Sequence, residues 1–417
     1  MKQIFISINR HKIDKTPQMV RQNNYSVVNM LSVTGALISA QQQIVNPILG
    51  IYVNEYLNIS PSLVGYVFTI FSFSALMTKI FNFLINRNEK IIRIMFIFGL
   101  LVNSVVPVGY VFTAEYATLL FLRLAHGAAF AYDTVLMLTI AGQENGKTDV
   151  SRAIYRYTTF LALGLTVGPV VGTLSVMAFG IKNTILASAL VGVGALVTGY
   201  KTGKHIPQVK NMEITSFFKT MARELGNGPL LTAATAYLSY NIAYGAVLAY
   251  SPLIARKEMG LSENIVTVLF LVYYSSALFS RAILSSLLPS FRIYIFYAII
   301  LAISAAGTLL ISTMRSPILF SAGYFIMAIG HGMSFPLSSM IVALRYEDNL
   351  VRLVANSVVM SMWDAGMMLG PIISSLLLAI MPLDMVLVPM VFFPLAGCLG
   401  LLTAMVGGKR HGSTKDK

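Results

Sequence analysis

Residues 163–174 read "LGLTVGPVVGTL" and residues 365–376 read "AGMMLGPIISSL", so a G-x-x-x-G-P core recurs 202 positions later inside apolar sequence. A proline in a helix interior removes one hydrogen bond and clashes with the preceding turn, at a cost of about 3 kcal/mol in water. Two copies therefore point to a repeated structural device. The first holds Gly164, Gly168, Pro169 and Gly172, the second Gly366, Gly370 and Pro371.

Working outward, the flanking sequence repeats as well. "SALMTK" (74–79) meets "SALFSR" (276–281) and sets Lys79 opposite Arg281. "LAHGAAF" (124–130) meets "IGHGMSF" (329–335) and sets His126 opposite His331. With offsets of 202, 205 and 202 residues, the three matches run in register and predict an internal duplication of six helices. Transporters are commonly built from such repeats, with the binding site between them near the bilayer midplane.

Composition sets the solvent. The chain has 417 residues, 56% hydrophobic and 11% charged, with a mean hydropathy of +0.74, which excludes a soluble globular domain. Crossing the hydrocarbon core takes about 20 mostly apolar residues. Twelve such stretches are read near 27–52, 62–85, 91–112, 117–141, 155–178, 183–200, 229–254, 264–287, 293–313, 317–342, 353–379 and 385–406. The expected layout is an N-tail (1–26), a six-helix bundle (27–200), a linker (201–228), a second bundle (229–406) and a C-tail (407–417). Asn9 and Arg10 interrupt the first apolar run, so the N-terminus does not read as a cleaved signal peptide and the first span is expected to be retained. The single cysteine, Cys398, excludes an internal disulfide and a cysteine-based metal site.

A net charge of +14 raises the question of a nucleic-acid partner, and its placement answers it. Of the Lys and Arg outside the spans, 23 fall on the side of the two termini and 4 on the other. That asymmetry is the positive-inside pattern, with both termini cytoplasmic and no nucleic acid required. In the linker, Ile214, Phe217, Phe218, Met221 and Leu225 share helical spacing with Lys219 and Arg223 off that face. The pattern suits either a helix lying on an anionic leaflet or a loosely ordered linker.

With these features in place, the chain resembles the major facilitator superfamily. Its fourth span, "LLFLRLAHGAAFA", is similar to that family's L-x-x-x-R-x-x-Q-G-x-G signature at Leu119, Arg123 and Gly127, with His126 in place of glutamine and Ala129 in place of the second glycine. Gly164, Gly168, Pro169 and Gly172 match the G-x-x-x-G-P-x-x-G motif associated with antiporters, including drug/proton antiporters. The loop after the second span keeps only Arg87 and Lys90 of the gating motif G-x-x-x-D-R-x-G-R-K. The resemblance implies an all-α membrane fold of two pseudo-symmetric six-helix bundles, secondary transport without a cofactor, and a cavity lined by spans 1, 4, 7 and 10.

Charges inside the membrane cost about 2.5–3.5 kcal/mol or more, so they are the first functional candidates. Besides histidine there are five: Lys79, Arg123, Asp133, Arg281 and Asp364. Proton-coupling candidates are His126, Asp133, His331 and Asp364. In the family's scheme His126 and His331 would sit on opposing cavity walls, or each bonds a neighbouring helix. Asp133 either titrates or pairs with Arg152 or Arg156. Asp364, beside the lone tryptophan Trp363, needs a partner or a proton, and the packing of span 11 on span 2 implied by the family offers Lys79 as its partner across the halves. Snorkelling accounts for Lys79 and Arg281 otherwise.

Uncharged polar stripes mark the expected substrate path. Span 1 carries Ser39, Gln42, Gln43 and Asn46, and span 7 carries Tyr237, Tyr240, Asn241 and Tyr244, with Arg123 as a further cavity candidate. Alternatively these groups bond neighbouring helices. The scarcity of buried acids favours a neutral or anionic small molecule over a cationic drug. No phosphate-binding G-x-x-x-x-G-K-[ST] stretch occurs, nor H-E-x-x-H or G-x-S-x-G, so ATP drive from within the chain and intramembrane catalysis are not expected. The expected activity is proton-coupled efflux by a monomeric antiporter of the plasma membrane, with lipid, a small molecule and protons as its partners. A symporter for sugars, organic acids or other metabolites is the alternative, and a non-transporting sensor the remote one.

Overall fold

The computed structural model describes residues 15–85, 88–141, 147–203, 214–225, 228–284, 292–346 and 349–412, and among these the chain is helical almost throughout. The N-terminal half comprises α1 (Lys15–Ile51), α2 (Pro61–Ile85), α3 (Glu89–Phe112), α4 (Tyr116–Ala141) and the run Lys147–Gly203. Gly180, at φ +77°, breaks that run into α5 (147–179) and α6 (181–203), a left-handed backbone that only glycine adopts cheaply. The linker helix is α7 (Ile214–Leu225). The C-terminal half comprises α8 (Gly228–Lys257), α9 (Glu263–Leu284), α10 (Ile293–Thr313), α11 (Pro317–Arg345), α12 (Asn349–Leu377) and α13 (Phe392–Gly412). Two bundles of six membrane-length helices result.

Local chemistry places the helix ends. Asn88 caps α3 by accepting a 2.9 Å bond from the Lys90 backbone N–H, and Asn58 (φ +54°) turns the chain after a π-helical turn, Tyr52–Tyr56, that closes α1. The last helix begins at Phe392 rather than near 385, because Pro382 and Pro389 break the approach into two short 3₁₀ turns. At 37 residues α1 is about 55 Å long, well beyond the hydrocarbon thickness of a bilayer.

Eight helical runs, with 152–203 counted once, are long and apolar enough to cross a membrane by length and composition. Helices α1, α8 and α12 fall short of that apolarity because their polar stripes face protein. Lipid-facing apolarity is unnecessary where a helix is covered by its neighbours.

The ends of the bundle differ. We call the end that carries the tails and α7 the terminal side, and the other the far side. One continuous core runs through the C-terminal half and takes in the far-side ends of the N-terminal half, from Val45–Val53 to Val106–Val111 and Ile181–Ile185. A second core, including Val27, Phe96, Leu136 and Tyr157, lies apart at the terminal side of the N-terminal half. The two halves thus share apolar packing on the far side.

Candidate functional site

The glycine motifs set the distances within each half. A Cβ at Gly168 would lie 2.5 Å from the Ala40 carbonyl oxygen, and one at Gly370 would lie 2.1 Å from that of Ile242. Gly164 packs in the same way on Ala36, and Gly366 on Asn241. Both positions of the Gly168–Ala40 contact shift by 202 residues in the second copy, so the duplication repeats a contact as well as a sequence. The glycines of the motif therefore press α5 onto α1 and α12 onto α8, inside a half, while the Pro371 carbonyl lies against Gly65 of α2 in the other half. Asn241, expected in the cavity, lies in this seam and bonds back to the Tyr237 carbonyl at 2.7 Å.

Between the halves, the contacts gather toward the far side. Arg256 forks onto Glu55, with Nε to Oε1 at 2.8 Å and Nη2 to Oε2 at 2.7 Å, and its Nη1 donates to the Leu261 carbonyl at 2.8 Å. Tyr56 donates to Glu263 at 3.0 Å, and burial together with that carboxylate pushes its hydroxyl up to about 12, so it is a neutral donor at physiological pH. Deeper in, Tyr250 accepts from the Gly65 N–H at 3.1 Å and meets Ser375 at 2.7 Å, while Thr173 donates to Thr267 and Thr69 to Met368.

At mid-depth a polar chain crosses from half to half. Gln42 donates to Asn46 at 3.1 Å, Tyr274 donates to Gln43 at 3.1 Å, and Tyr244 meets Tyr274 at 2.7 Å. Because Tyr274 spends its proton on Gln43, Tyr244 is the donor in the last pair. Tyr240 pairs with Tyr273 at 2.6 Å. These tyrosines and Trp363 surround His331, with ring centroids 4.8 Å away for Tyr244, 5.3 Å for Tyr273, 5.5 Å for Trp363, 5.6 Å for Tyr274 and 6.3 Å for Tyr240. The hydroxyls of the cluster are tied to one another, whereas His331 Nδ1 is buried with no hydrogen-bond partner. Tyr237 stands beside Phe335 rather than His331.

Six residues before the terminal-side end of α2, Lys79 Nζ lies 2.5 Å from Asp364 Oδ2 of α12, with side chains 22% and 9% exposed. The structure brings these two membrane charges together across the halves. Arg281, the counterpart of Lys79, instead donates to the Gly332 carbonyl at 3.2 Å.

The N-terminal half encloses its own ionisable residues. Arg123 is fully buried, donates through Nε to the Val67 carbonyl at 2.9 Å and lies 4.3 Å over the Phe71 ring. His126 is fully buried too, bonded to the Tyr110 hydroxyl at 2.8 Å and edge-on to Phe71. Neither faces the space between the halves, so His126 and His331 do not oppose each other across a cavity and Arg123 does not line one. Asp133 accepts from Asn103 at 2.9 Å and sits against the bare Cα of Gly99. Neither arginine expected for it arrives: Arg156 bonds Asn29, and Arg152 is exposed. Ser39, Gln42, Gln43 and Asn46 are all buried. Lys90 is exposed at the start of α3, and Arg87 lies outside the described residues.

The family model for the Major Facilitator Superfamily matches residues 31–371. The chain belongs to the major facilitator superfamily. No curated protein matches it by sequence. Among solved structures it resembles a variant of the nucleoside transporter NupG (TM-score 0.69, 12% identity, covering 91% of this chain and 99% of that one). It also resembles a bacterial homologue of the human lysosomal transporter Spinster in an inward-facing, occupied conformation (TM-score 0.69, 12% identity, 91% and 96%) and the human organic anion transporter MFSD10 (TM-score 0.63, 12% identity, 91% and 99%). At such identities the likeness is one of fold.

In this superfamily member, sequence reasoning passed over Tyr273, Tyr274, Glu55 and Arg256. The adjacent tyrosines of "LVYYSS" were the available signal for the first two. The ion pair joins residues 201 apart at two helix ends, where charges are ordinary, so no local pattern marks it.

Proposed function

We propose that the chain is a secondary active transporter that moves a small molecule by alternating access, coupled to protons, as an efflux antiporter of the cell membrane with cytoplasmic termini. The observation that carries this reading is the Lys79–Asp364 pair, two charges from different halves meeting near mid-membrane. Removing one partner from a buried pair costs about 3–5 kcal/mol, so the halves separate here cheaply only when the remaining charge is cared for. Lys79 is six residues from the end of α2 and can carry its ammonium toward the terminal-side water. Asp364 is shorter and deeper, so a proton is what releases it. Protonation of Asp364 thereby frees α12 from α2, and deprotonation draws them together.

The antiport direction is supported by the G-x-x-x-G-P-x-x-G match in α5, and the cytoplasmic termini by the distribution of Lys and Arg. The far-side fork and the Lys79–Asp364 pair are both made in this structure, so the form described is held by charge toward both ends. The test uses proteoliposomes with an entrapped pH dye and a compound selected by its thermal stabilisation of the purified protein. Native protein should move protons against that compound, whereas Asp364→Asn should retain compound exchange without proton movement. Native proton-linked flux in Asp364→Asn sinks the coupling role, and protons moving with the compound replace antiport by symport.

A further inference from the structure

The aromatic cluster around His331 has two properties that plain packing does not require. Its tyrosine rings are buried, but His331 and Trp363 keep part of their surface exposed at mid-depth, on α11 and α12. The cluster also ends in unpartnered buried atoms: His331 Nδ1 at its centre and, along the hydrogen-bonded chain through Tyr274 and Gln43, the Gln42 Oε1 atom. Buried polar atoms are paired in native structures as a rule, and each unpaired one calls for a partner. Here the protein's own hydroxyls are already committed, with Tyr244 to Tyr274 and Tyr240 to Tyr273.

Charge narrows the class further. Asp364, next to Trp363 in the chain, is matched by Lys79, and Arg123 is enclosed among the rings of Phe68, Phe71 and Tyr110 in the other half. Arg281 is the one nearby charge without a carboxylate partner among the described residues, and its Nε is held by the Gly332 carbonyl beside His331. The cluster therefore offers π-surface and hydrogen-bond acceptors, with no free carboxylate to receive a cation and its nearest cation turned to backbone. Aromatic pairs favour offset or edge-on contact at 4.5–7 Å between centroids, the range the cluster's own rings already occupy, so an added ring continues the arrangement.

We propose that His331 and Trp363 form the recognition surface for an uncharged, planar aromatic molecule bearing N–H or O–H donors. This rests on the transport reading for its purpose, since the cluster adjoins both the inter-half hydrogen bonds and the Asp364 pair. The ring of the ligand stacks on Trp363, and its donors meet His331 Nδ1 and the Gln42 amide oxygen. A ligand without donors leaves those atoms unpaired and binds about ten- to a hundredfold more weakly.

Trp363 is the only tryptophan in the chain, which makes intrinsic fluorescence a report from the site itself. Full-length protein in nanodiscs is titrated with adenosine and uridine as uncharged planar donors, adenosine monophosphate as an anion, tetraphenylphosphonium as an aromatic cation and sucrose as an uncharged non-aromatic donor, with thermal stability followed in parallel. Adenosine or uridine should quench Trp363 saturably and raise the unfolding temperature, with the others at least about tenfold weaker. His331→Ala and Tyr244→Leu should each weaken that binding about ten- to a hundredfold, and Trp363→Phe, which keeps a ring, should bind more tightly than Trp363→Leu by thermal shift. The proposal is overturned if neither nucleoside binds, if the phosphate, the cation or sucrose binds as tightly, or if both Trp363 variants bind alike. Proton-linked flux of sucrose or the phosphate would leave the transport reading standing and remove this one; nucleoside binding without proton-linked flux would do the reverse.

Discussion

The Arg256–Glu55 fork is the contact whose loss should most directly change which side of the bundle is open. Replacing Arg256 by Gln removes two parallel charge-assisted bonds, at 2.8 and 2.7 Å, together with the bond to the Leu261 carbonyl. An exposed ion pair is worth about 0.2–1 kcal/mol, and breaking a buried one costs about 3–5 kcal/mol. With side chains 25% and 24% exposed, this pair falls between, at about 1.5–2 kcal/mol. That corresponds to a shift of roughly 10- to 30-fold toward far-side-open molecules. Spin labels at Ala114→Cys and Ser316→Cys, in a Cys398→Ser background, place one reporter on the far side of each half. Pulsed dipolar measurements should show a longer-distance population growing by that factor in Arg256→Gln and by less in Arg256→Lys, which keeps the charge but loses the fork. An unchanged distance distribution in a well-folded Arg256→Gln protein would refute the role of the fork as a latch.

Three further outcomes follow from the packing. Gly370→Ala and Gly164→Ala each put a Cβ 2.1 Å from a backbone oxygen, whereas Gly172→Ala finds its nearest atom at 3.2 Å, so the first two should lower the unfolding temperature in detergent clearly and the third little; equal losses would contradict the close approach. Asp133→Leu strips the partner from the buried Asn103 amide, at a cost of about 1–3 kcal/mol, while Asp133→Asn retains one. Thermal unfolding should therefore separate the two variants, and equal destabilisation would show that charge, not hydrogen bonding, holds the site. Gln43→Leu removes the acceptor for Tyr274 and should cost about 1–3 kcal/mol by the same argument, with Gln43→Glu, which keeps an acceptor, less affected at neutral pH.

The twelve helices could be read in advance because each apolar run had to satisfy its backbone internally, and the polar breaks between runs were short. Helices α1, α8 and α12 were read as spans because each still offers about 20 mostly apolar residues between polar breaks, despite its polar stripe. The Lys79–Asp364 contact was legible since few charges lie deep in the membrane and these two fall on helices that pack. The partner of Asp133 was not, because that depends on rotation about the α4 axis: the carboxylate faces Gly99 and Asn103 of α3, while Arg156 faces Asn29 of α1. The same rotation turns His126 toward Tyr110 and Phe71. Periodicity says which residues share a face and leaves open which neighbour that face meets. Tyr273 and Tyr274 carry no charge and stand in an apolar helix, so nothing local marked the Tyr274 hydroxyl as the one that reaches Gln43 in the other half.

The two halves have kept their scaffold and divided their chemistry. The glycine contacts that set α5 on α1 and α12 on α8 recur with the same offset, yet the paired histidines have opposite surroundings, one sealed inside its half and the other set in the ring cluster at the middle. Charge enclosed by its own half, as with Arg123 and Asp133, moves with that half and contributes nothing to the difference between inward and outward forms. The work of switching then falls on contacts that join the halves, and these are ordered along the bundle: the Glu55–Arg256 fork at the far side, the Gln43–Tyr274 bond at mid-depth, and the Lys79–Asp364 pair toward the terminal side. Rocking one half against the other opens one end as it closes the other. Opening the far side must break the fork and spare the pair, and opening the terminal side must break the pair and spare the fork. On the proposed coupling, the pair is the contact that a proton releases, and a ligand at the proposed Trp363 and His331 surface would lie between the two closures, where it would meet both states.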